Sequence, residues 1–278
     1  MTALVSGDVT TNGITIHYYL TDGKPKHSRP TLVFLHGITD SGLCFPRVVK
    51  ALAGEYELVL PDARGHGLSD KPQTGYSPAD HAADDAGLIR ALELDRPVLI
   101  GHSMGGLVAS LVAAGYPDLV RGVVLEDPAW IPDERSAPEQ RAVHMQQWRT
   151  QILERQAMTP DEVIANRKVE QPYWEEEEFP EWVVAKMQVT PDVAEFTGVM
   201  PAWREIATAI RCPALLIGAD VTRGAIVGAA QAGVAQAINP NIQAAIISGA
   251  GHNIRREQFE AYMAVVRRFL EELEQPAA

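Results

Sequence analysis

The sequence has 278 residues, of which 46% are hydrophobic and 22% charged, and its formal net charge is -12. This is the profile of an ordinary globular chain with one sizeable core. The negative charge, with no cluster of Lys or Arg, argues against nucleic acid or an anionic membrane as a partner. The two cysteines, Cys44 and Cys212, stand far apart without CxxC spacing, so free thiols are expected rather than a metal site or a required disulfide. The N-terminus carries no basic stretch followed by an apolar run, and no segment approaches the length of a membrane span, so a cytoplasmic location is expected.

In chain order, residues 9–22 alternate about Asn12-Gly13, the signal of a hairpin with a left-handed turn pair. Apolar runs at 31–37, 56–62, 97–101, 122–127, 214–218 and 243–247 predict buried strands. Helical patterns separate them. One of these opens at Ser77-Pro78, a helix N-cap with proline in the first turn; another closes the chain at 258–274, with Phe259, Tyr262, Val266, Phe269 and Leu270 on one face. Short apolar strands alternating with helices imply an α/β fold, a mostly parallel sheet covered on both faces, whose chemistry sits at the carboxyl ends of the strands.

The interval 129–211 breaks the rhythm. It has no strand-like run and shows three helix starts: the capping-box patterns Ser136-x-x-Glu139 and Thr159-x-x-Glu162, and Thr190 followed by Pro191. The expected organisation is therefore a core of 1–128 and 212–278 with a helical cap of 129–211 lying over the strand ends. Trp130, Trp148, Tyr173, Trp174, Trp182, Phe196 and Trp203 could give that cap an aromatic face toward substrate, or could pack its helices together. The acidic run 175–178 is expected to be a solvated face or a helix start.

Gly101-His102-Ser103-Met104-Gly105 follows a buried strand and precedes a small-residue helix. Gly-x-Ser-x-Gly alone is a weak pattern. In strand-turn-helix context it describes a sharp turn that exposes a serine hydroxyl, with the glycines letting strand and helix pass closely. Ser103 is thus the candidate nucleophile. His252, in the glycine-flanked loop after the last strand, is the candidate general base. The backbone N–H groups of Ile38 and Met104 are candidate oxyanion donors, and His36, Gly37, His102, Trp130 and Trp174 are expected around the substrate pocket, with His36 also able to bond its own loop.

Leu35-His36-Gly37, the segment 61–70, Gly101–Gly106 and Gly251-His252 together resemble the α/β-hydrolase superfamily along the whole chain outside the cap. The resemblance implies a Ser-His-acid triad that forms an acyl-enzyme without metal or organic cofactor. It implies a small-molecule ester or lactone as substrate, and Ser103 stands where dehalogenases and epoxide hydrolases of this fold carry Asp. Asp62 and Arg64 are expected to hold the loop 61–70 together. The acid departs from the commoner pattern: Asp220 falls one residue early after the strand 214–218, whereas Asp127 ends the strand 122–127 in a register similar to capped lactonases, and Glu126 alternates to the other side. Asp127 is favoured, with Asp220 as the alternative. The aromatic cap, similar in layout to zearalenone lactonases and macrolide esterases, favours a bulky hydrophobic substrate such as a macrocyclic lactone. A carbon–carbon hydrolase or lyase and a non-catalytic ligand receptor are the competing readings.

Overall fold

Strands β3 (Thr31–Leu35), β4 (Glu57–Pro61), β5 (Val98–His102), β6 (Gly122–Glu126) and β7 (Ala214–Ala219) are buried at every position, because their continuous apolar runs are covered on both faces. The computed structural model describes residues 4–21, 29–131, 137–198 and 200–275. β1 (Leu4–Thr11) and β2 (Ile14–Thr21) form the hairpin, turning at Asn12 and Gly13 with φ of 48° and 78°. With β8 (Ile242–Ile247) they complete one sheet in the order β1-β2-β4-β3-β5-β6-β7-β8. β1, β2 and β4 pair antiparallel in succession, and every other neighbour pair is parallel.

Side-chain alternation sends the two halves of each strand into different cores. Val33, Leu35, Leu99, Val123, Leu125 and Leu216 pack on one face with helices α2 (Pro78–Ala91) and α3 (Met104–Gly115). Leu32, Phe34, Ile100, Val124 and Ile217 pack on the other with α1 (Pro46–Leu52) and the C-terminal helix. Each fully buried aliphatic side chain contributes about 1.5–3 kcal/mol to holding the central strands in the sheet. Both cysteines are free and buried.

Among the described residues, four α-helices stand between β6 and β7: α4 (Pro138–Gln156), α5 (Pro160–Glu170), α6 (Phe179–Gln188) and α7 (Trp203–Ala209). Thr159 caps α5 in a reciprocal box with Glu162, as its sequence implies. The start of α4 differs from expectation. Its N-cap is Ala137, with Pro138 in the first turn, and Ser136 lies outside the described residues. Thr190-Pro191 opens a 3₁₀ stretch, Pro191–Gly198, rather than an α-helix. The acidic run does open a helix, with Glu178 as the N-cap of α6, but it is not wholly solvated: Glu178 is buried and accepts from Arg256 Nε at 3.1 Å, an anchor that only the folded chain supplies. α7 packs Trp203 and Ile206 into the same core as α3. After β7 come α8 (Ala229–Ile238), α9 (Ile254–Glu257) and α10 (Phe259–Glu274), the last burying Tyr262, Val266, Phe269 and Leu270. Among the described residues no helix is long and apolar enough to cross a membrane.

Buried histidines pin the loops at the carboxyl edge of the sheet. His36 Nε2 accepts from Ala63 N–H at 3.0 Å while its Nδ1–H donates to the Gly37 carbonyl, and His66 accepts from Thr39 N–H while donating to the Arg64 carbonyl. Each ring must be neutral to accept. Burial lowers the pKa of His36, His66 and His102 and brings His81 down to about 3. Unfolded histidines take up protons near pH 6.5 while these folded ones resist, so the unfolded state binds more protons in acid. Stability is therefore expected to be full above pH 6.5 and to fall steadily as pH drops below it. Urea unfolding midpoints at successive pH values test this, and a flat profile between pH 7 and 5 would refute it.

Candidate active site

Ser103 occupies the turn between β5 and α3 with φ of 54° and ψ of −113°. A non-glycine residue there carries strain on the order of 1–3 kcal/mol, which its surroundings must overcome. They do so through three main-chain bonds: Ser103 N–H to the Glu126 carbonyl at 3.0 Å, and Leu107 and Ala129 N–H to the Ser103 carbonyl at 3.0 and 2.9 Å. A Cβ on Gly105 would collide with the Leu35 carbonyl oxygen, and one on Gly101 with that of Gly105. Both glycines are steric requirements of this turn.

His252 arrives on the loop between β8 and α9, and its Nε2 lies 2.9 Å from Ser103 Oγ. Its Nδ1–H donates to Asp127 Oδ2 at 2.6 Å. Asp127, immediately after β6, is fully buried, and its carboxylate also accepts from the N–H groups of Ile226 and Val227 at 2.7–3.0 Å. Those donors leave the anion well solvated without water. His102 Nε2 bonds the His252 carbonyl at 2.9 Å, which fixes the loop rather than the imidazole. Of the other two carboxylates, Asp220 accepts from Gly249 N–H at 2.7 Å and so braces the same loop, away from the imidazole. Glu126 points to the opposite face, where it pairs with Arg255 at 3.2 Å.

Above Ser103 the cavity has two lobes that share Ile38, Ser103, Trp148 and His252. The first, about 190 Å³, is largely apolar, with Met104, Ala129, Ile131, Phe196 and Met200 among its walls. The second, about 220 Å³, is polar: Gly37, His102 and Trp174 lie there with Gln151, Arg155, Arg167 and Lys186. Two expected pocket residues are elsewhere. Trp130 is fully buried, stacks on Trp203 with ring centres 5.6 Å apart and donates its indole N–H to Ser110 Oγ at 3.2 Å. The chain does stay near the site after β6, but Ala129 and Ile131 turn toward the cavity and Trp130 turns to the core. His36 is likewise buried in its turn and lines neither lobe. Tyr173 is exposed. The polar wall of α4 was missed, although Trp148, Gln151 and Arg155 stand at i, i+3 and i+7 and so share one helix face. Among the described residues no group of His, Cys, Asp or Glu has the makings of a metal site.

A family model described as the alpha/beta hydrolase fold matches residues 30–254. The chain belongs to the α/β-hydrolase family. This hydrolase is 29% identical over 280 residues to the N-formylmaleamate deformylase of Pseudomonas putida, a match covering 97% of this chain and 98% of that protein. It is 46% identical over 104 residues to the 2-(acetamidomethylene)succinate hydrolase of Mesorhizobium japonicum, a match spanning 37% of each. Among solved structures, an E-2-(acetamidomethylene)succinate hydrolase superposes with a TM-score of 0.80 at 24% identity, over 97% of this chain and all of that one. At that identity the likeness is one of fold.

The floor of the polar lobe is a buried ionic cluster. Lys186 of α6 donates to the Thr39 carbonyl at 2.7 Å and pairs with Asp40, while Arg256 reaches Asp40 at 3.1 Å and Glu178 at 3.1 Å. Burial works against the Asp40 anion, yet Lys186, Arg256 and Arg255 outweigh it and hold its pKa well below the usual carboxylate range. Burial brings Lys186 down to about 8 despite Asp40. Thr39 has a φ of 69°, poorly suited to a β-branched residue, and Lys186 clamps its carbonyl in place. Breaking one member of such a cluster leaves a charge uncompensated, so Lys186→Met should cost about 3–5 kcal/mol in urea unfolding. A loss below 1 kcal/mol would show the pair to be dispensable. Trp130→Ala should also read as a core deletion of about 3–5 kcal/mol, with KM nearly unchanged; a large KM effect at intact stability would return Trp130 to the pocket.

Proposed function

We propose that this α/β-hydrolase cleaves the carbonyl of a small ester or lactone through an acyl-enzyme on Ser103. The observation that carries the reading is the continuous chain from Ser103 Oγ to His252 Nε2 to Asp127, buried at its acid end and open to a cavity at its hydroxyl end. In the ground state Ser103 O–H donates to His252 Nε2. As Oγ attacks the carbonyl carbon, the imidazole takes that proton, and Asp127 stabilises the resulting imidazolium and holds its tautomer. The carbonyl oxygen becomes an oxyanion beside Ile38 and Met104, both at the cavity wall, whose N–H groups supply the oxyanion hole. Such a donor commonly contributes about 3–4 kcal/mol to the transition state. His252 then protonates the departing alkoxide. The acyl group stays on Oγ until water, deprotonated by His252, attacks it and restores the serine.

Two features bear on the substrate. At about 190 and 220 Å³, the two lobes together reach only the small end of the roughly 300–1,000 Å³ of pockets for drug-sized ligands, which favours a small acyl compound. Half of the site is cationic even though Trp148, Trp174 and Trp182 are among its walls, so the bulky macrocyclic lactone suggested by the tryptophan count is a poorer fit. The helices that carry Trp148, Arg155 and Lys186 act in this reading as the cap. A second reading, hydrolysis of an amide carbonyl by the same steps with an amine as leaving group, draws support from the relatives whose names specify an acetamidomethylene succinate and a formylmaleamate.

Short nitrophenyl esters, small lactones and N-acyl amides assayed with the wild type and Ser103→Ala test the proposal, together with fluorophosphonate labelling of Ser103. Loss of all turnover and labelling in Ser103→Ala is expected. Asp127→Asn should lower kcat by about 10⁴, as wrong-tautomer variants do, whereas Asp220→Asn should cost no more than about 1–2 kcal/mol of loop stability. Near-normal kcat in Asp127→Asn beside an inactive Asp220→Asn would reverse the assignment of the acid.

A further inference from the structure

The cations of the polar lobe do not balance its anions. Among the described residues, Lys186, Arg255 and Arg256 are matched by Asp40, Glu126 and Glu178, and Arg167 pairs with the exposed Glu170 at 3.1 Å. Arg155, half-buried on α4, makes no ion pair among the described residues. Burial pushes its guanidinium down from its ordinary value, and the charges of Glu170 and Asp40, which it does not bond, fail to restore it. A cation kept partly out of water without a partner costs free energy that a bound anion would return.

A second, independent feature lies in the same wall. Trp174 is only 6% exposed, and its indole N–H is buried with no hydrogen-bond partner. Two cations lie against its ring, with Arg256 at 4.5 Å and Arg167 at 5.4 Å from the ring centre. A buried donor of this kind calls for an acceptor. The lobe is therefore lined by guanidinium groups with a surplus positive charge and by Trp174, whose N–H lacks an acceptor, and its lining also includes Ser103 and His252.

We propose that the polar lobe is a carboxylate subsite, in which Arg155 and the Trp174 N–H bind a carboxylate carried by the substrate while its scissile carbonyl lies at Ser103. The substrate class is then a short half-ester or half-amide of a dicarboxylic acid, with its neutral end in the apolar lobe. This deepens the reading of Ser103 as nucleophile and rests on it for turnover, but not for binding.

The test uses monoethyl succinate, diethyl succinate and succinate itself. Wild-type protein should prefer the monoester over the diester in kcat/KM by at least about tenfold, and Arg155→Gln should lower that ratio by about 10- to 100-fold, mainly through KM for the monoester. Calorimetric titration of Ser103→Ala with succinate should show binding that Ser103→Ala/Arg155→Gln loses and that Trp174→Phe, with its N–H removed but its ring retained, weakens. Equal succinate affinity with and without Arg155, or a wild type that prefers the diester, overturns the subsite even where esters are cleaved. If the wild type cleaves neither ester and resists fluorophosphonate, it is the nucleophile assignment that fails, and the succinate titration still decides the subsite.

Discussion

The steric crowding at the β5–α3 turn is the constraint on which the site depends. Strand, serine and helix pass so closely that the Gly105 Cα rests on the Leu35 carbonyl, and Ser103 is left with positive φ. The strain is held by bonds from two directions, one to the carbonyl of β6 and one from the chain leaving it. The same geometry bonds Ser103 N–H, immediately after β5, to the carbonyl of Glu126, the last residue of β6 and the one before Asp127. Ser103 and the carboxylate are therefore positioned together: a shift of β6 along β5 would move both.

Asp127 carries a second burden. Its φ of 39° is also left-handed, and its carboxylate accepts from the loop that follows β7 as well as from His252. One buried anion thus ties β6 to the loop before α8 and to the loop before α9. Fixed N–H groups around it do what water would do for an exposed carboxylate, without competing for the imidazole. Asp220 stabilises the His252 loop by a different route, through Gly249 N–H. Two acids that sequence makes rivals are in the fold partners with separate tasks.

The two lobes of the cavity present different dielectric settings. One is walled by Met104, Phe196 and Met200, and the other by paired and unpaired charges above a buried cluster. The cluster also joins three separate parts of the chain. Asp40 comes from the turn after β3, Lys186 from α6 and Arg256 from α9, so the inserted helices are bound electrostatically to the turn that holds Ile38. Buried ion pairs of this kind add little net stability against apolar packing but are costly to break.

The sheet, the hairpin and the serine turn were legible in the sequence because each rests on local rules: apolar runs of five or six residues, a positive-φ Asn-Gly pair, and glycines where a Cβ would collide. The order of the motifs and their resemblance to known hydrolases were enough to place Ser103 and His252 at one sheet edge. Side-chain direction in the irregular stretch after β6 was not legible. No period governs residues 128–131, and the choice that buries Trp130 on Trp203 while Ala129 and Ile131 face the cavity depends on α7, some seventy residues away in the chain. The burial of Glu178 within an otherwise solvent-facing acidic run has the same origin, since its partner Arg256 lies 78 positions downstream. Which carboxylate meets His252 was undecided for a related reason: two parallel neighbours, β6 and β7, deliver acids to the same edge, and only the packing of the loop 220–228 shows one turned to the imidazole and the other to Gly249. Local sequence determined which elements form and where reactive groups emerge; long-range packing alone decided which way those groups point and what charge they meet.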